Sequence, residues 1–478
     1  MIASGGAGPD LQGRAHVLKK HHIISCIDNI PQNNSFYNDF KLWYKMIMHK
    51  NPPPNSRTLG KIDITQGGGA EDRRTLWISE NGRKEIGTMH FSNHMDEIQL
   101  SKIRQIGELA GKMAKEGRSV IKLQVGEPDF DTPQHIIDAA IASLNKKETH
   151  YAPNRGTLAC RQAIAAKLRR DNGIQADPEK NILVLNGCAE ALMCSTLGIL
   201  DQGEEMIVIE PCFINYVQLA KLSGCTPVVV RAREEDGWLP DIEDIRRAVT
   251  SRTKILLLCT PTNPTGAVYP RALLEDIAKL AMEHGFIVVS DEVYEKLIYG
   301  QAEHVSIASI PGMEERTVTI NGLSKAYAMT GWRLGYVAAD EALILPMLKV
   351  HQYAATCLPV FIQAGAVEAL DNSEADVAAM RQEYQKRRDM LAELLGQCED
   401  LSLTVPEGTF YMYPNISKLG IDSYDFVFKL LEETGVATVY GTAFDQKGQG
   451  NIRISFANSE ENLREGARRI LQFIAKMR

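Results

Sequence analysis

Ile255-Leu256-Leu257-Leu258-Cys259, a helix-like span over residues 271–283, and then Phe286-Ile287-Val288-Val289 is the stretch that decides the fold. Both short runs are apolar at every position. A strand with one wet face alternates apolar and polar residues, so an unbroken apolar run of this length belongs in a sheet covered on both faces. The same pattern extends outward in both directions. Residues 182–185, 206–209 and 227–230 precede it as strand candidates, and 318–320 and 336–338 follow. Helix-like spans at 189–200, 214–222 and 242–249 lie between them. Strand and helix in strict alternation predict an α/β fold: a mostly parallel seven-stranded sheet covered by helices.

The last third of the chain changes character. A long charged helix over about 375–395 leads into short alternating segments at 401–405, 410–413, 437–439 and 452–456, then a final helix from about 461 to 477. This reads as a smaller α+β domain. At the other end, residues 1–88 carry Pro52-Pro53-Pro54, Gly67-Gly68-Gly69 and many asparagines, with no sustained helical stripe. They read as a poorly ordered or weakly attached extension, with one short amphipathic helix across 36–48. Ile98, Ile103, Ile106 and Leu109 then recur at helical spacing and predict an entering helix. The expected divisions are 1–88 as extension, 89–134 as an arm and part of the small domain, 135–372 as the large domain, and 373–478 as the small C-terminal domain. The extension reads either as an upstream start, with Met89 or Met95 as the true beginning, or as a lineage-specific segment.

Composition excludes several classes. Of 478 residues, 44% are hydrophobic and 24% charged, the balance of a globular protein. A net charge of −7 and a pI of about 5.9 argue against nucleic acid as a partner. No apolar run reaches membrane-spanning length. No apolar core follows a basic start, and Asp10, Asp28 and Asp39 disfavour a transit peptide, so neither a secretory nor an organelle signal is expected. Nine cysteines are scattered without a CxxC pair and read as buried free thiols in a reducing, cytoplasmic setting. His21-His22 has no third ligand nearby, and no metal site is expected.

The chemistry-bearing run is Asn321-Gly322-Leu323-Ser324-Lys325-Ala326-Tyr327-Ala328-Met329-Thr330-Gly331-Trp332-Arg333-Leu334-Gly335-Tyr336. A lysine just past a strand end faces the crevice where α/β sheets bind ligands. There it can condense with a carbonyl group, once deprotonated. Arg333, eight positions on, can grip a phosphate bidentately. Alone, the pair also reads as a surface lysine and a solvated arginine.

This run resembles the cofactor-lysine signature of the class I/II aminotransferases, the fold type I enzymes that use pyridoxal 5′-phosphate (PLP). Other stations of that family stand in order over residues 95–478. Asp291, in Ser290-Asp291-Glu292-Val293-Tyr294, resembles the carboxylate that pairs with the cofactor's pyridine nitrogen and sustains its electron sink. Tyr294 and Asn263, the latter in Pro261-Thr262-Asn263-Pro264-Thr265-Gly266, resemble the pair that hydrogen-bonds the phenolic oxygen. Gly187, Cys188 and Ala189 fall where the family places its phosphate loop, with backbone N–H groups at a helix start. Ser324 completes the cofactor set beside Lys325 and Arg333. Phe213 takes the place of the aromatic that stacks on the ring.

The resemblance also implies substrate and subunit contacts. Gly126, in Val125-Gly126-Glu127-Pro128-Asp129-Phe130, and Asn263 are expected to contact the amino acid, and Arg453 to grip its α-carboxylate. Tyr151 is expected to cross the interface of a homodimer with shared active sites and reach the neighbour's phosphate. The implied activity is ping-pong transfer of an amino group from an L-amino acid to a 2-oxo acid, with 2-oxoglutarate as the usual acceptor, and with Lys325, Asp291 and Tyr294 as catalytic residues. One branch of the aspartate enzymes carries a lysine where this chain has Ala189, which lowers aspartate as the favoured donor. Two other readings share the motifs. One is a lyase or oxidase-like reaction on the same scaffold. The other is a PLP-sensing regulator with residues 1–88 as a DNA-binding segment. That segment holds 12 Lys/Arg against 8 Asp/Glu, but it lacks two clear successive helices.

Overall fold

In the computed structural model the described residues are 61–63, 74–78, 84–88, 92–98, 102–445, 448 and 450–477. The chain divides into two compact units, residues 1–93 and 94–478. In the first, β1 (Lys61–Asp63), β2 (Arg74–Ile78) and β3 (Lys84–Thr88) pair as an antiparallel meander. Sequence reading did not find these strands. The helix expected across 36–48 lies outside the described residues.

The second unit opens with α1 (Lys102–Lys115), the entering helix, and the short β4 (Ile121–Lys122). Next come α2 (Gln134–Asn145) and α3 (Leu158–Lys167). The large sheet then builds from β5 (Ile182–Leu185), α4 (Cys188–Ile199), β6 (Glu205–Glu210), α5 (Asn215–Leu222), β7 (Thr226–Arg231), α6 (Ile242–Ala248), β8 (Thr253–Cys259), α7 (Arg271–His284), β9 (Ile287–Asp291), β10 (Thr317–Gly322) and β11 (Gly335–Ala338). The strand order is β5-β11-β10-β9-β8-β6-β7, with β11 alone antiparallel to its neighbours. This is the expected mostly parallel seven-stranded sheet.

The unbroken apolar runs have the expected cause. Met206, Val208, Ile255, Leu257 and Val289 point to one face and pack with Leu192 and Ala191 of α4. Their neighbours Ile207, Ile209, Leu256, Leu258 and Val288 point to the other and pack with Leu274 and Ile277 of α7. Each side chain so buried contributes roughly 1.5–3 kcal/mol relative to leaving it in water.

The remainder of the chain forms α8 (Glu341–Ala354), α9 (Val360–Asn372), α10 (Glu374–Gly396), β12 (Tyr411–Met412), α11 (Ser423–Thr434), β13 (Val436–Ala437), β14 (Val439–Tyr440), β15 (Ile452–Ser455) and α12 (Glu460–Met477). The expected strand at 401–405 forms only a bridge, Ser402 with Asn415. The expected strand at 437–439 is two, broken at Thr438, because β13 pairs with β4 while β14 pairs with β15. None of the helices among the described residues is long and apolar enough to cross a membrane.

Candidate active site

Register brings the expected residues to one edge of the sheet. Cys259 lies opposite Asp291, Asp291 opposite Ile320, Gly322 opposite Gly335, and Gly335 opposite Leu185. The chain therefore leaves β5, β8, β9 and β10 side by side, toward Gly187, Asn263, Tyr294 and Lys325. Antiparallel β11 starts at the same edge, just after Arg333. The carboxyl ends of parallel strands are where such sheets place ligands. A cleft of about 340 Å³ opens here, lined among others by Gly126, Cys188, Ala189, Phe213, Asn263, Asp291, Tyr294, Ser324, Lys325, Arg333 and Arg453.

Lys325 is half-buried and its Nζ donates to the Gly126 carbonyl oxygen at 2.5 Å. Among the described residues no carboxylate lies in salt-bridge range of it. Gly126 must be glycine here: a Cβ would stand 2.8 Å from the Tyr411 hydroxyl. Tyr411 and Tyr294 share a hydrogen bond of 3.1 Å between hydroxyls, and the Tyr294 ring lies 5.7 Å from the lysine nitrogen. Burial pushes the Tyr294 phenol well above its ordinary range, so it stays a neutral donor. Two hydrogen bonds fix the lysine loop from outside: Trp332 Nε1 donates to Thr132 Oγ1 at 3.1 Å, and Thr132 Oγ1 to the Ala328 carbonyl at 2.7 Å.

Asp291 is 4% exposed. Its Oδ2 accepts from the Tyr216 hydroxyl at 2.8 Å and its Oδ1 from the Val293 amide at 3.3 Å. Burial pushes the carboxyl up to about 6, against the pull of the Tyr216 and Val293 donors. Among the described residues no basic side chain pairs with it. The group thus waits for a cation or proton. The raised value carries a stability cost with a definite sign. Below about pH 4 the acid is protonated whether the chain is folded or not, and nothing is lost. As pH rises through about 6 the folded chain must ionise a buried acid, costing ~3 kcal/mol. Asp291→Asn is therefore expected to raise the melting temperature of the ligand-free protein near pH 7.5 and to leave it unchanged near pH 4. A melting temperature lowered at both contradicts this account.

The anion corner is formed by Gly187, α4 and Arg333. Gly187 caps the helix at φ +79°, a conformation natural to glycine, and turns the chain so that the Cys188 and Ala189 amides head α4 with no partner inside the helix. A Cβ on Gly187 would stand 2.6 Å from Arg333 Nη2. Arg333 itself holds φ +55°, a strained conformation for a residue with a side chain. Its Nη1 donates to the Thr330 carbonyl at 3.2 Å, and among the described residues no acid pairs with it. Free amides, a helix N-terminus and an unpaired guanidinium can together hold an anion such as a phosphate. Burial raises the Cys188 thiol, so the sulfur stays neutral there.

At the opposite side, Arg453 is 3% exposed on β15. Nη1 donates to Asn263 Oδ1 at 3.1 Å and Nη2 to the Gln124 carbonyl at 3.0 Å, while Nε is buried without a partner. Its carbon sits 4.2 Å from the Tyr411 ring centre. Burial lowers its pKa, and among the described residues it too has no acid partner. A buried arginine without a counter-ion is costly unless a ligand supplies one.

Phe213 lines the cleft and meets Tyr216 edge-on at 5.9 Å. Tyr151 does not join this cleft; it is 90% exposed. Sequence reading missed Tyr216, Tyr411, Gln124, Thr330 and Ile103, all of which line the cleft. Tyr216 had one usable signal, its three-residue spacing from Phe213. The others had none. Asp129, in the same motif as Gly126, is tied to Arg387 by two contacts of 2.8 Å and serves the scaffold.

Behind Asp291 and Tyr294, Glu292, Glu295 and His304 bring ligand atoms within 4.8 Å of one another. Their charges are met within the protein. Glu292 accepts from Ser290, Ser306 and His304, and Glu295 from Lys167 and Asn172. Burial pushes the Glu295 carboxyl up, but Lys167 and His304 hold it below its ordinary value. The cluster braces the segment that carries Asp291 and Tyr294.

Known proteins resemble this chain in sequence and fold. The family profile "Aminotransferase class I and II" matches residues 118–470. An aspartate aminotransferase of Pyrococcus abyssi is 43% identical over 384 residues, covering 80% of this chain and 97% of its own length. The aromatic-amino-acid aminotransferase 2 of Thermococcus litoralis is 40% identical, covering 80% and 97%. Among solved structures, the Thermus thermophilus aspartate aminotransferase with maleate superposes with a TM-score of 0.77 at 39% identity, covering 80% of this chain and all of its own. An aromatic aminotransferase from Pyrococcus horikoshii gives 0.74 at 43%, covering 77% and 99%. Agreement of this depth, over nearly the whole length of proteins that move amino groups, means that the chain belongs to the class I and II aminotransferases.

Proposed function

We propose that the cleft binds PLP on Lys325 and moves an amino group from an L-amino acid to a 2-oxo acid in a ping-pong cycle. The observation that carries this reading is the arrangement of unmet charges. Among the described residues, Arg333, Arg453 and Lys325 line one cleft without an acid partner, and the buried Asp291 has no basic partner. The residues fit the group: the amides of Cys188 and Ala189 with Arg333 suit its phosphate, Asp291 its ring nitrogen, and Asn263 and Tyr294 its phenolic oxygen. When bound, the cofactor supplies the electron sink for the bond broken at the substrate Cα.

The chain's own residues do the rest. Arg453 and Asn263 orient the α-carboxylate, and Gly126 leaves room beside them. Lys325 Nζ, beside the Gly126 carbonyl, is placed to take the α-proton and to return it two atoms along, as general base and then acid. Asp291 keeps its charge opposite the ring nitrogen, with Tyr216 fixing its orientation. Phe213 flanks the ring.

Neutral and aromatic donors suit the cleft better than aspartate. Among the described residues its lining cations are Lys325, Arg333 and Arg453, which the cofactor and the α-carboxylate would occupy, and the lining also holds Ile103, Thr330 and the acid Glu127. With 2-oxoglutarate, the acceptor the resemblance implies, phenylalanine or tyrosine is expected to exceed aspartate about tenfold in kcat/KM, the cost of one poorly matched charge. A preference for aspartate of that size overturns the donor assignment. Tyr151 and Tyr353, 90% and 89% exposed, support a homodimer in which Tyr151 reaches the neighbour's phosphate. The eight described cysteines are all free, which supports a reducing setting such as the cytoplasm.

A further inference from the structure

We infer that Glu190 and His351 form a buried positioning pair that sets the shape of loop 186–189 and thereby the affinity for the cofactor's phosphate; this rests on the reading of that loop as the phosphate site. Glu190 is the third residue of α4. Its Oε2 accepts from the Asn186 amide at 2.6 Å and its Oε1 meets His351 Nδ1 at 2.9 Å. The histidine is 0% exposed and comes from α8, far along the chain. A glutamate here can reach back to an amide at the helix start as an ordinary cap. That explains Glu190 alone. It does not explain a fully buried histidine from another helix whose ring aligns on the same carboxylate.

Burying a carboxylate is costly unless its oxygens are bonded, and both oxygens of Glu190 are. Accepting from His351 pins the imidazole with its proton on Nδ1, while Nε2 is buried without a partner. The position of the histidine is set by close helix packing. A Cβ on Gly198 of α4 would stand 3.1 Å from the backbone nitrogen of Met347, one turn before His351, and Ser195 Oγ donates to Met347 Sδ at 3.4 Å. The distance between helices is therefore fixed, and the pair transmits it to the Asn186 peptide. Gly187 then turns the next two amides toward the Arg333 side. Without Glu190 the Asn186 amide loses its acceptor, and without His351 the accepting carboxylate loses the partner that holds it in place; either way the loop is free to rotate those two donors away from an anion.

The test compares two ligands that differ only in the phosphate. Apoprotein is titrated with pyridoxal 5′-phosphate and with pyridoxal, by absorbance, for the parent chain, His351→Leu, Glu190→Ala and His351→Gln. The ratio of the two dissociation constants, taken on one sample, does not depend on the folded fraction. His351→Leu and Glu190→Ala are expected to weaken binding of the phosphate form at least about tenfold and that of pyridoxal less than about twofold. His351→Gln retains an N–H for Glu190 and is expected to keep most of the parent's preference. Equal loss for both ligands, or an unchanged ratio in His351→Leu and Glu190→Ala, overturns the inference. A parent chain that shows no preference for the phosphate form overturns the reading of the loop itself.

Discussion

Lys325→Ala is expected to lower turnover roughly 10⁴-fold, the upper range for removing a positioned general base. This lysine has two tasks, holding the cofactor and moving the proton, and among the described residues no neighbour can take either over. Its nitrogen touches the Gly126 carbonyl, which cannot accept a proton at neutral pH, and the Tyr294 and Tyr411 hydroxyls bond each other. The next cation, Arg333, is committed to the anion corner and stays protonated. The variant should still bind PLP through Asp291, Arg333 and the α4 amides, but without the visible colour of the lysine-bound form. Steady-state kinetics with the absorption spectrum check both halves. A variant that keeps the lysine-bound spectrum and turns over removes Lys325 from the mechanism.

Arg453→Lys is expected to lower kcat/KM for α-amino acids by about 10²–10³, since truncating or misaligning a buried charge contact costs about 2–5 kcal/mol. Charge survives in this variant, but the planar fork that meets Asn263 and the Gln124 carbonyl is lost. The discriminating measurement uses amines that lack the carboxylate. The parent should strongly prefer an amino acid over its decarboxylated amine, and the variant should lose most of that preference while its slow rate with the amine stays unchanged. Equal losses on both substrates would assign Arg453 to the scaffold, through its contacts with Tyr411 and Phe444.

How much of this was legible in the sequence follows from chain geometry. Gly187, Asn263 and Asp291 each follow a run that is apolar at every position, Lys325 follows the buried strand Thr317–Gly322, and parallel strands deliver their carboxyl ends to one edge. Local pattern therefore located them together. Tyr411 and Gln124 reach the cleft by tertiary packing across more than a hundred residues, and no local period records that. Ile103 sat in a helix that periodicity found, yet periodicity names only the buried face and not what lies against it. The pair of Glu190 and His351 shows the same limit: Glu190 reads as a cap, and the partner that makes it more comes from another helix. Strand errors had a related cause. Leu401-Ser402-Leu403-Thr404-Val405 alternates well, but a strand needs a neighbour, and only Ser402 finds one. Conversely, β2 and β3 are too short and too mixed in composition to announce themselves before pairing.

Amino transfer runs in two separable halves. Its most direct measurement mixes the PLP-loaded enzyme with a good amino donor and no acceptor, then counts products against active sites. One keto acid per site, no free ammonia, and a colour change reversed by adding a 2-oxo acid are the predicted result. Continued release of ammonia beyond one equivalent, with no 2-oxo acid present, would contradict it and assign the cleft to elimination or oxidation instead.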